Sequence, residues 1–190
     1  MTDQEILLDL LLRLKKDIQG ILTGLPVELL RWQPDEEANN IALTIWHVSR
    51  AHDVFKTRLF ENRPPEDELW YTQGWALKTG YDPRGLGAAG FGNLAGYTRA
   101  EVAAVPILSV DELLAYFDQV YEAMHGYLSH SSSEALYQPA AGGPHASQTV
   151  YQWLKNLLVD GQEHVGEIKA IGAMWERKRR RQSPASPEGA

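Results

Sequence analysis

Apolar residues recur at helical intervals in four separate stretches of the chain. In the first stretch they follow one another at intervals of four and three residues, which places them on one face of a helix. These residues are Leu7, Leu11, Leu14, Ile18 and Ile21. Thr2 and Glu5 form the capping-box pattern that begins such a helix, and Gly24 and Pro26 end it.

The second stretch predicts a helix that begins at Asn39 or Asn40, since either side chain can cap a helix N-terminus. Its apolar positions lie on one side and are Ile41, Val48, Ala51, Phe55 and Leu59. The pair Pro64–Pro65 ends this helix, because proline has no backbone N–H to donate.

The third and fourth helices are separated by residues 131–147, which are rich in Ser, Gly and Pro and are predicted to be a loop. Ser109 and Glu112 form a capping box at the start of the third helix. Its apolar positions are Leu113, Leu114, Phe117, Tyr121, Met124 and Leu128. The fourth helix is predicted from about Gln148 to Arg177, with apolar positions Val150, Trp153, Leu157, Ile168, Ile171 and Trp175.

A long connection, residues 62–108, joins the second and third helices. Residues 80–96 within it hold six glycines, and six aromatic residues are interleaved: Trp70, Tyr71, Trp75, Tyr81, Phe91 and Tyr97. A structureless loop of this length is uncommon unless it is functional or packed upon itself. We expect it to cover the open end of the helices and wall a pocket. The alternative is a rigid crossover whose aromatic side chains only seal the core.

No strand pattern of useful length occurs, so the pattern predicts an all-α fold, a four-helix bundle with a long crossover connection between helices two and three. That connection can leave the two helices parallel. The predicted domain spans residues 1–178. Residues 179–190, which include Pro184 and Pro187, are predicted to be a disordered tail.

Composition narrows the function. The chain has no cysteine, which excludes disulfides, iron–sulfur clusters and a cysteine nucleophile. Residues 177–181 are all basic, whereas residues 1–176 carry 13 basic and 24 acidic side chains, a net charge of −11. The negative charge of residues 1–176 disfavours a nucleic-acid partner, because the phosphate backbone is also negatively charged. Acidic residues interrupt the N-terminus and no apolar run reaches the ~20 residues of a membrane span, so a cytoplasmic protein without membrane contact is expected.

Polar side chains interrupt the apolar face of the predicted fourth helix. His164 lies near the centre of this face, with Asp160 four residues before it and Glu167 three residues after it. Side chains four residues apart have Cβ atoms about 5–6 Å apart and can share one metal ion. The alternative is that Asp160 only orients His164 by a hydrogen bond.

Two histidines of the second helix, His47 and His52, also lie on its apolar side, and helical geometry does not choose between them. Either one would complete a set of two histidines and one carboxylate with Asp160 and His164. Such a set leaves coordination positions open for water and substrate, as a catalytic metal site requires.

The stretch from Trp46 to Asp53 resembles the Trp-His-x-Ala/Ser-Arg-x-x-Asp sequence of DinB-like (YfiT-type) metal-dependent proteins. The stretch from His164 to Ile168 resembles their closing His-x-Gly-Gln/Glu-Ile sequence, and residues 90–97 are similar to one branch of the group. The resemblance extends over roughly residues 1–178. It implies a four-helix bundle that binds a divalent metal ion.

The resemblance implies that His47, Asp160 and His164 are the metal ligands, with Asp160 in a position where histidine is usual. A carboxylate there favours zinc, manganese or iron over nickel. Glu167 stands where glutamine is frequent, which makes it a candidate catalytic base or a partner of a metal ligand. The alternative role of Glu167 is to pair with an arginine such as Arg50.

The function that the resemblance implies is a metal-dependent enzyme, a thiol S-transferase or a hydrolase, whose small-molecule substrate includes a low-molecular-weight thiol. One alternative is a non-catalytic stress protein that binds a metal or a small molecule in the same pocket, and another is a purely structural bundle. A homodimer is also expected, because Leu8 and Leu12 widen the apolar face of the first helix beyond what one core needs.

Overall fold

The computed structural model describes residues 2–141 and 147–182, and within these ranges the regular structure is helical, with no strand. The protein is all-α, as the apolar pattern predicts. The helices are α1 (Asp3–Leu22), α2 (Val27–Arg31), α3 (Ile41–Val54), α4 (Leu69–Thr72), α5 (Trp75–Thr79), α6 (Arg99–Ala104), α7 (Val110–His130), α8 (Ser133–Leu136) and α9 (Val150–Gln182). A π-helical segment, Phe55–Phe60, continues α3, and 3₁₀ turns form at Pro65–Asp67 and Ala88–Gly90.

Local capping explains where the long helices begin. Thr2 and Glu5 form the predicted capping box of α1, and Ser109 caps α7 in the same way. At α3 the cap is Asn40, whose side-chain oxygen accepts a hydrogen bond from the backbone N–H of Leu43 at 2.8 Å. Each cap supplies a partner to backbone N–H groups that have none within the helix.

Helix α1 packs against α7 and α9, and α3 packs against the same two helices. Tyr116 of α7 contacts Asp53 of α3, and Tyr127, further along α7, stacks on Phe60 in the π-helical extension of α3. Because both contacts advance in the same order along the two helices, α3 and α7 run in the same direction. A glycine brings α9 close to α1, because a Cβ atom at Gly161 would lie 2.9 Å from a methyl carbon of Leu14.

The core face of α1 differs from the prediction at one position. Leu7, Leu11, Leu14 and Ile18 are buried as predicted, and Leu22, which was predicted to widen the face, is buried as well, whereas Ile21 is only partly buried. Leu8 is only partly buried, and Leu12 keeps 38% of its surface exposed.

The connection between α3 and α7 folds over its own aromatic side chains. Trp70 and Trp75 are buried and stack on each other with ring centroids 6.4 Å apart. Trp70 also meets Trp46 of α3 edge to face at 5.8 Å and donates its indole N–H to the carbonyl oxygen of Tyr81 at 3.0 Å. These two tryptophans therefore seal the core, which is the second of the two predicted roles of the connection.

Two chain segments differ in detail from the sequence prediction. The predicted loop 131–147 contains the short helix α8, capped by Ser132. Helix α9 extends to Gln182, so residue 178, the predicted end of the domain, lies inside a helix. The rest of the predicted tail, residues 183–190, lies outside the described residues. None of the helices in the described ranges has the length and apolar character needed to span a membrane.

Candidate metal centre

His47 projects from α3 towards the glycine-rich part of the connection. Its ring nitrogen Nδ1 is hydrogen-bonded to the backbone carbonyl oxygen of Asn93. A carbonyl oxygen can only accept, so Nδ1 carries the proton. The lone pair of the imidazole is therefore on Nε2, the nitrogen left available for a metal ion.

His164 is oriented in the same way by a residue of its own helix. Its Nδ1 atom lies 2.9 Å from Oε2 of Glu167, which accepts a hydrogen bond, and its Nε2 atom lies 3.7 Å from Oδ2 of Asp160. Glu167 is thus a partner of His164. The alternative pairing with Arg50 does not occur, since Arg50 is bound to Asp53 and Glu68.

The structure brings His47, Asp160 and His164 together. One possible ligand atom from each residue lies within 4.8 Å of the other two. The two imidazole rings meet edge to face with centroids 4.9 Å apart. Two imidazole nitrogens and one carboxylate oxygen are a donor set that suits zinc and other divalent transition metals.

The cluster lies at the edge of the core rather than at its centre. Half of the Asp160 side chain is exposed, and 21% of that of His164. Asp160 therefore does not carry the full cost of a buried charge, contrary to its predicted place on the buried face of the helix. Partial exposure leaves the cluster accessible to solutes.

The environments of the two histidines shift their pKa values in opposite directions. Burial lowers the pKa of His47, although the Asn93 carbonyl and nearby carboxylates oppose the shift. The hydrogen bond that His164 donates to Glu167 raises the pKa of His164, with a further contribution from the charge of Asp160. A metal ion needs both rings neutral. Burial thus favours the neutral form of His47 that a metal ion needs, whereas protons compete more strongly with a metal ion at His164.

His52, the other candidate of α3, lies outside this cluster. It is buried, and its Nδ1 atom is 2.8 Å from the carbonyl oxygen of Val48 in the preceding turn. Its Nε2 atom has no hydrogen-bond partner among the described residues. Burial lowers the pKa of His52 to about 4. The register between α3 and α9 thus selects His47 over His52 as the histidine beside Asp160.

A cleft of about 470 Å³ opens beside the cluster. It is lined by His47, Ala51, Phe55, Asn93, Ala95, Trp153, Asn156, Leu157, Val159, Asp160 and Glu163. The long connection contributes only Asn93 and Ala95, while Trp70 and Trp75 are not part of the lining. The part of the connection that walls the pocket is therefore its glycine-rich part.

Three side chains of the α3 helix and its π-helical extension hold that glycine-rich part in place. Arg58 donates to the carbonyl oxygen of Gly90 at 2.9 Å, Arg50 donates to that of Gly92 at 3.4 Å, and His47 donates to that of Asn93. Gly92 has a φ angle of +62°, and a Cβ atom there would lie 2.1 Å from the carbonyl oxygen of Pro83. Only glycine fits this position.

A buried network of charges anchors the start of the connection. Arg50 binds Asp53 at 3.2 Å and Glu68 at 2.8 Å, and all three side chains are fully buried. The hydroxyl of Tyr116 donates to Asp53 at 2.9 Å, and Arg58 binds the second oxygen of Glu68. Asp53 also accepts the backbone N–H groups of residues 69 and 70. The connection is therefore fastened to α3 and its extension at two places, near its start and in its glycine-rich part.

Comparison with known proteins identifies the family of the chain and a solved structure of the same fold. The family model of the DinB superfamily matches residues 10–168. The chain belongs to the DinB superfamily. A solved structure with the same fold, described as the conserved protein of locus from Enterococcus faecalis, is 18% identical with a TM-score of 0.74. The match covers 92% of this DinB-superfamily chain and 97% of that one. Comparison with the curated proteins gives no match.

Sequence reasoning missed the role of Asn93. The carbonyl of this residue orients His47, and the residue belongs to the lining of the cleft. The only signal was its place in the glycine-rich stretch that resembles one branch of the family. Likewise, Arg50 and Asp53 stand in the motif of the second helix, but nothing in the motif identifies Glu68 as their partner.

Proposed function

We propose that this protein is a divalent-metal-dependent enzyme, a thiol S-transferase or a hydrolase, with His47, Asp160 and His164 as metal ligands. The observation that carries the proposal is the convergence of three ligand atoms within 4.8 Å beside an open cleft. A site that stores a metal or only stabilises the fold is usually closed by a fourth protein ligand. Three ligands beside a cleft instead leave room for a substrate.

We further infer the architecture that supports this site, a four-helix bundle of α1, α3, α7 and α9 with a long crossover between α3 and α7. The packing of α1 and α3 against the same two helices supports it, as does the common direction of α3 and α7. In such a bundle the cluster is built from side chains on two facing helices, as is usual for metal sites in helix bundles.

The protein's own groups prepare the site for chemistry. The Asn93 carbonyl and the Glu167 carboxylate hold the Nδ1 protons of His47 and His164, and so direct both Nε2 lone pairs to one point. A bound divalent ion lowers the pKa of a water or thiol and polarises a substrate carbonyl. Phe55, Trp153 and Leu157 provide apolar walls that limit the access of bulk water to the cleft.

The carboxylate of Asp160 affects which metal fits. Together with two imidazoles it favours zinc, manganese or iron over nickel. The cosubstrate that we propose is a small thiol, and its sulfur must come from outside the chain, which has no cysteine. Glu167 is a proposed catalytic base, although its bond to His164 also supports a purely orienting role.

Metal titration of the full-length protein without an affinity tag tests the proposal. Wild type should bind one Zn²⁺ per chain, and His164→Ala should bind far less while it keeps its helical circular dichroism. His130→Ala is the matched control, because His130 is exposed at the end of α7. Metal should be released as the pH falls below about 6.5, since protonation of imidazole competes with the ion. Full metal content in His164→Ala would refute the assignment.

A further inference from the structure

The cleft beside the metal-ligand cluster holds a carboxylate that the protein itself does not pair. Glu163 lines this cleft three residues after Asp160 on α9, and it is exposed. It has no hydrogen bond or ion pair among the residues that the structure describes. The pKa of His164 is raised first by its hydrogen bond to Glu167, and the charge of Glu163 also contributes, so this carboxylate lies close to the cluster. A solute in the cleft can therefore reach it.

No positive side chain of the described lining balances Glu163. The residues that line the cleft include neither a lysine nor an arginine. The arginines of α3 and its π-helical extension, Arg50 and Arg58, are both bound to Glu68 in the buried network. The negative charge at this side of the cleft therefore favours a solute of opposite charge.

The metal ion that we propose for the cluster does not remove this negative charge. A divalent ion brings two positive charges and needs neutral imidazoles. At neutral pH the carboxylates of Asp160, Glu163 and Glu167 carry three negative charges, and a thiol that coordinates the ion as a thiolate adds a fourth. The loaded cleft thus remains negative, and it favours a thiol whose other end is positively charged.

The aromatic walls of the cleft suit such a group as well. Phe55 and Trp153 line it, and both residues are partly exposed. Their rings meet edge to face with centroids 5.2 Å apart. The face of an aromatic ring is negatively polarised and attracts an ammonium group within about 6 Å of its centroid. One cleft therefore offers an ammonium group both a carboxylate and aromatic surface.

We propose that the small thiol taken by this site carries a positively charged amine, and that Glu163 binds this amine as an ion pair. The inference rests on the proposed function, because the metal ion holds the sulfur at the other end of the same molecule. It makes Glu163 a residue that determines specificity, whereas Glu167 orients His164.

Two thiols of equal shape and different charge test this contact. Thiocholine carries a trimethylammonium group where 3,3-dimethyl-1-butanethiol carries an uncharged tert-butyl group. We would load the full-length protein with Co²⁺ and measure the dissociation constant of each thiol from the near-ultraviolet absorption of cobalt–sulfur coordination. Glu163→Gln should reduce the preference for thiocholine roughly 2- to 5-fold, the value of one exposed ion pair. Because the trimethylammonium group also makes its thiol more acidic, the difference between variants is what measures the contact.

The matched control removes the same charge elsewhere on the same helix. Glu176 is exposed on α9 and lies about 20 Å along the helix from Glu163. This separation exceeds two Debye lengths of about 8 Å each, so Glu176→Gln should keep the wild-type preference. Phe55→Leu keeps an apolar wall without the ring and should reduce the preference roughly 2- to 5-fold. All three variants should take up Co²⁺ as wild type does, because none of them changes a ligand.

The outcomes separate this inference from the proposed function. If wild type takes up no Co²⁺, or if neither thiol coordinates the bound cobalt, the proposed role of a metal-bound thiol fails, and the role of Glu163 fails with it. If both thiols bind and Glu163→Gln keeps the wild-type preference, the Glu163 proposal alone is wrong. It is equally wrong if Glu163→Gln and Glu176→Gln reduce the preference to the same extent, because the overall charge of the chain would then explain the effect. A wild-type preference in Phe55→Leu would refute the contribution of the aromatic wall.

Discussion

Helix α3 carries two clusters of polar side chains within two turns, and they differ in how their hydrogen bonds are completed. In the buried network, Arg50 and Asp53 are fully buried and joined by Glu68, Arg58 and Tyr116. In the metal-ligand cluster, His47 meets Asp160 and His164 at the edge of the core. Both clusters hold the same glycine-rich segment by its carbonyl oxygens.

The comparison teaches how charge and hydrogen bonding separate a structural site from a functional one. The buried network pairs two guanidinium groups with two carboxylates, so its charges balance without any added ion. In the metal-ligand cluster the Nδ1 atoms of both histidines have hydrogen-bond acceptors, and one possible ligand atom of each histidine lies within 4.8 Å of one from Asp160. A cation is what would complete it, and the cleft gives that cation access.

The largest expected effect tests the buried network. Arg50→Leu should lower the free energy of unfolding by about 3–5 kcal/mol, because it leaves buried carboxylates with too little positive charge. Urea denaturation of the metal-free protein measures this loss. The control Arg63→Leu breaks a half-exposed pair with Asp67 and should cost less than about 1 kcal/mol. A loss for Arg50→Leu as small as that of the control would show that the network does not anchor the connection.

The second prediction concerns His52, a buried residue of α3 that belongs to neither cluster. The pKa of His52 is about 4 in the folded protein, against an ordinary value of 6.5 that we take for the unfolded chain. As the pH falls, His52 is therefore protonated first in the unfolded chain. The contribution of His52 to the free energy of unfolding is therefore fully present above pH 6.5. It falls by roughly 3 kcal/mol between pH 6.5 and 4. In metal-free His52→Leu this acid-dependent loss should be smaller by that amount, as measured by urea denaturation across the pH range.

The exposed histidine His130 supplies the comparison for this experiment. His130→Gln should lose stability with acid as wild type does. If His52→Leu follows the same acid curve as wild type and the control, His52 takes up its proton in the folded protein without strain, and its assignment as a buried neutral side chain is wrong.

The third prediction sharpens the description of the metal-ligand cluster. Glu167→Gln should weaken Zn²⁺ binding about 10- to 100-fold, because the carboxylate orients His164 and makes its ring a stronger ligand. Calorimetric titration with Zn²⁺ measures the change. Glu163→Gln removes an exposed carboxylate of the same helix and should have a smaller effect. Equal effects of the two variants would indicate that only the overall negative charge of the cleft matters.

The smallest expected effect on stability concerns the association of two chains, which would decide whether one chain by itself builds both clusters. We predict a homodimer through α1, where Leu12 is 38% exposed. Leu12→Glu should change the free energy of unfolding of the monomer by no more than about 0.5 kcal/mol, because the position is on the surface. Light scattering at micromolar concentration should show a dimer for wild type and a monomer for the variant.

Two further results would bear on this dimer. A wild-type monomer would refute it. If wild type is a dimer and Leu12→Glu lowers the Zn²⁺ affinity, the metal-ligand cluster depends on a second chain. The comparison between the two clusters would then have to include the surface of the second chain.

The amino-acid sequence by itself determined the helices and their caps, because both depend on contacts between residues close in the chain. The spacing of apolar residues identified the long helices, and Ser109 and Thr2 marked two of their starts. The pair Asp160 and His164 was visible for the same reason, since a single helix places them on adjacent turns.

Only the tertiary structure decided between His47 and His52, because the choice depends on how α3 aligns with α9. The same holds for Glu68 as the partner of Arg50 and for Asn93 at the cleft. The contact of Arg50 with Glu68 joins residues 18 positions apart, and that of His47 with Asn93 joins residues 46 positions apart. Their pairing arises from the packing of the whole connection, which no local sequence pattern specifies.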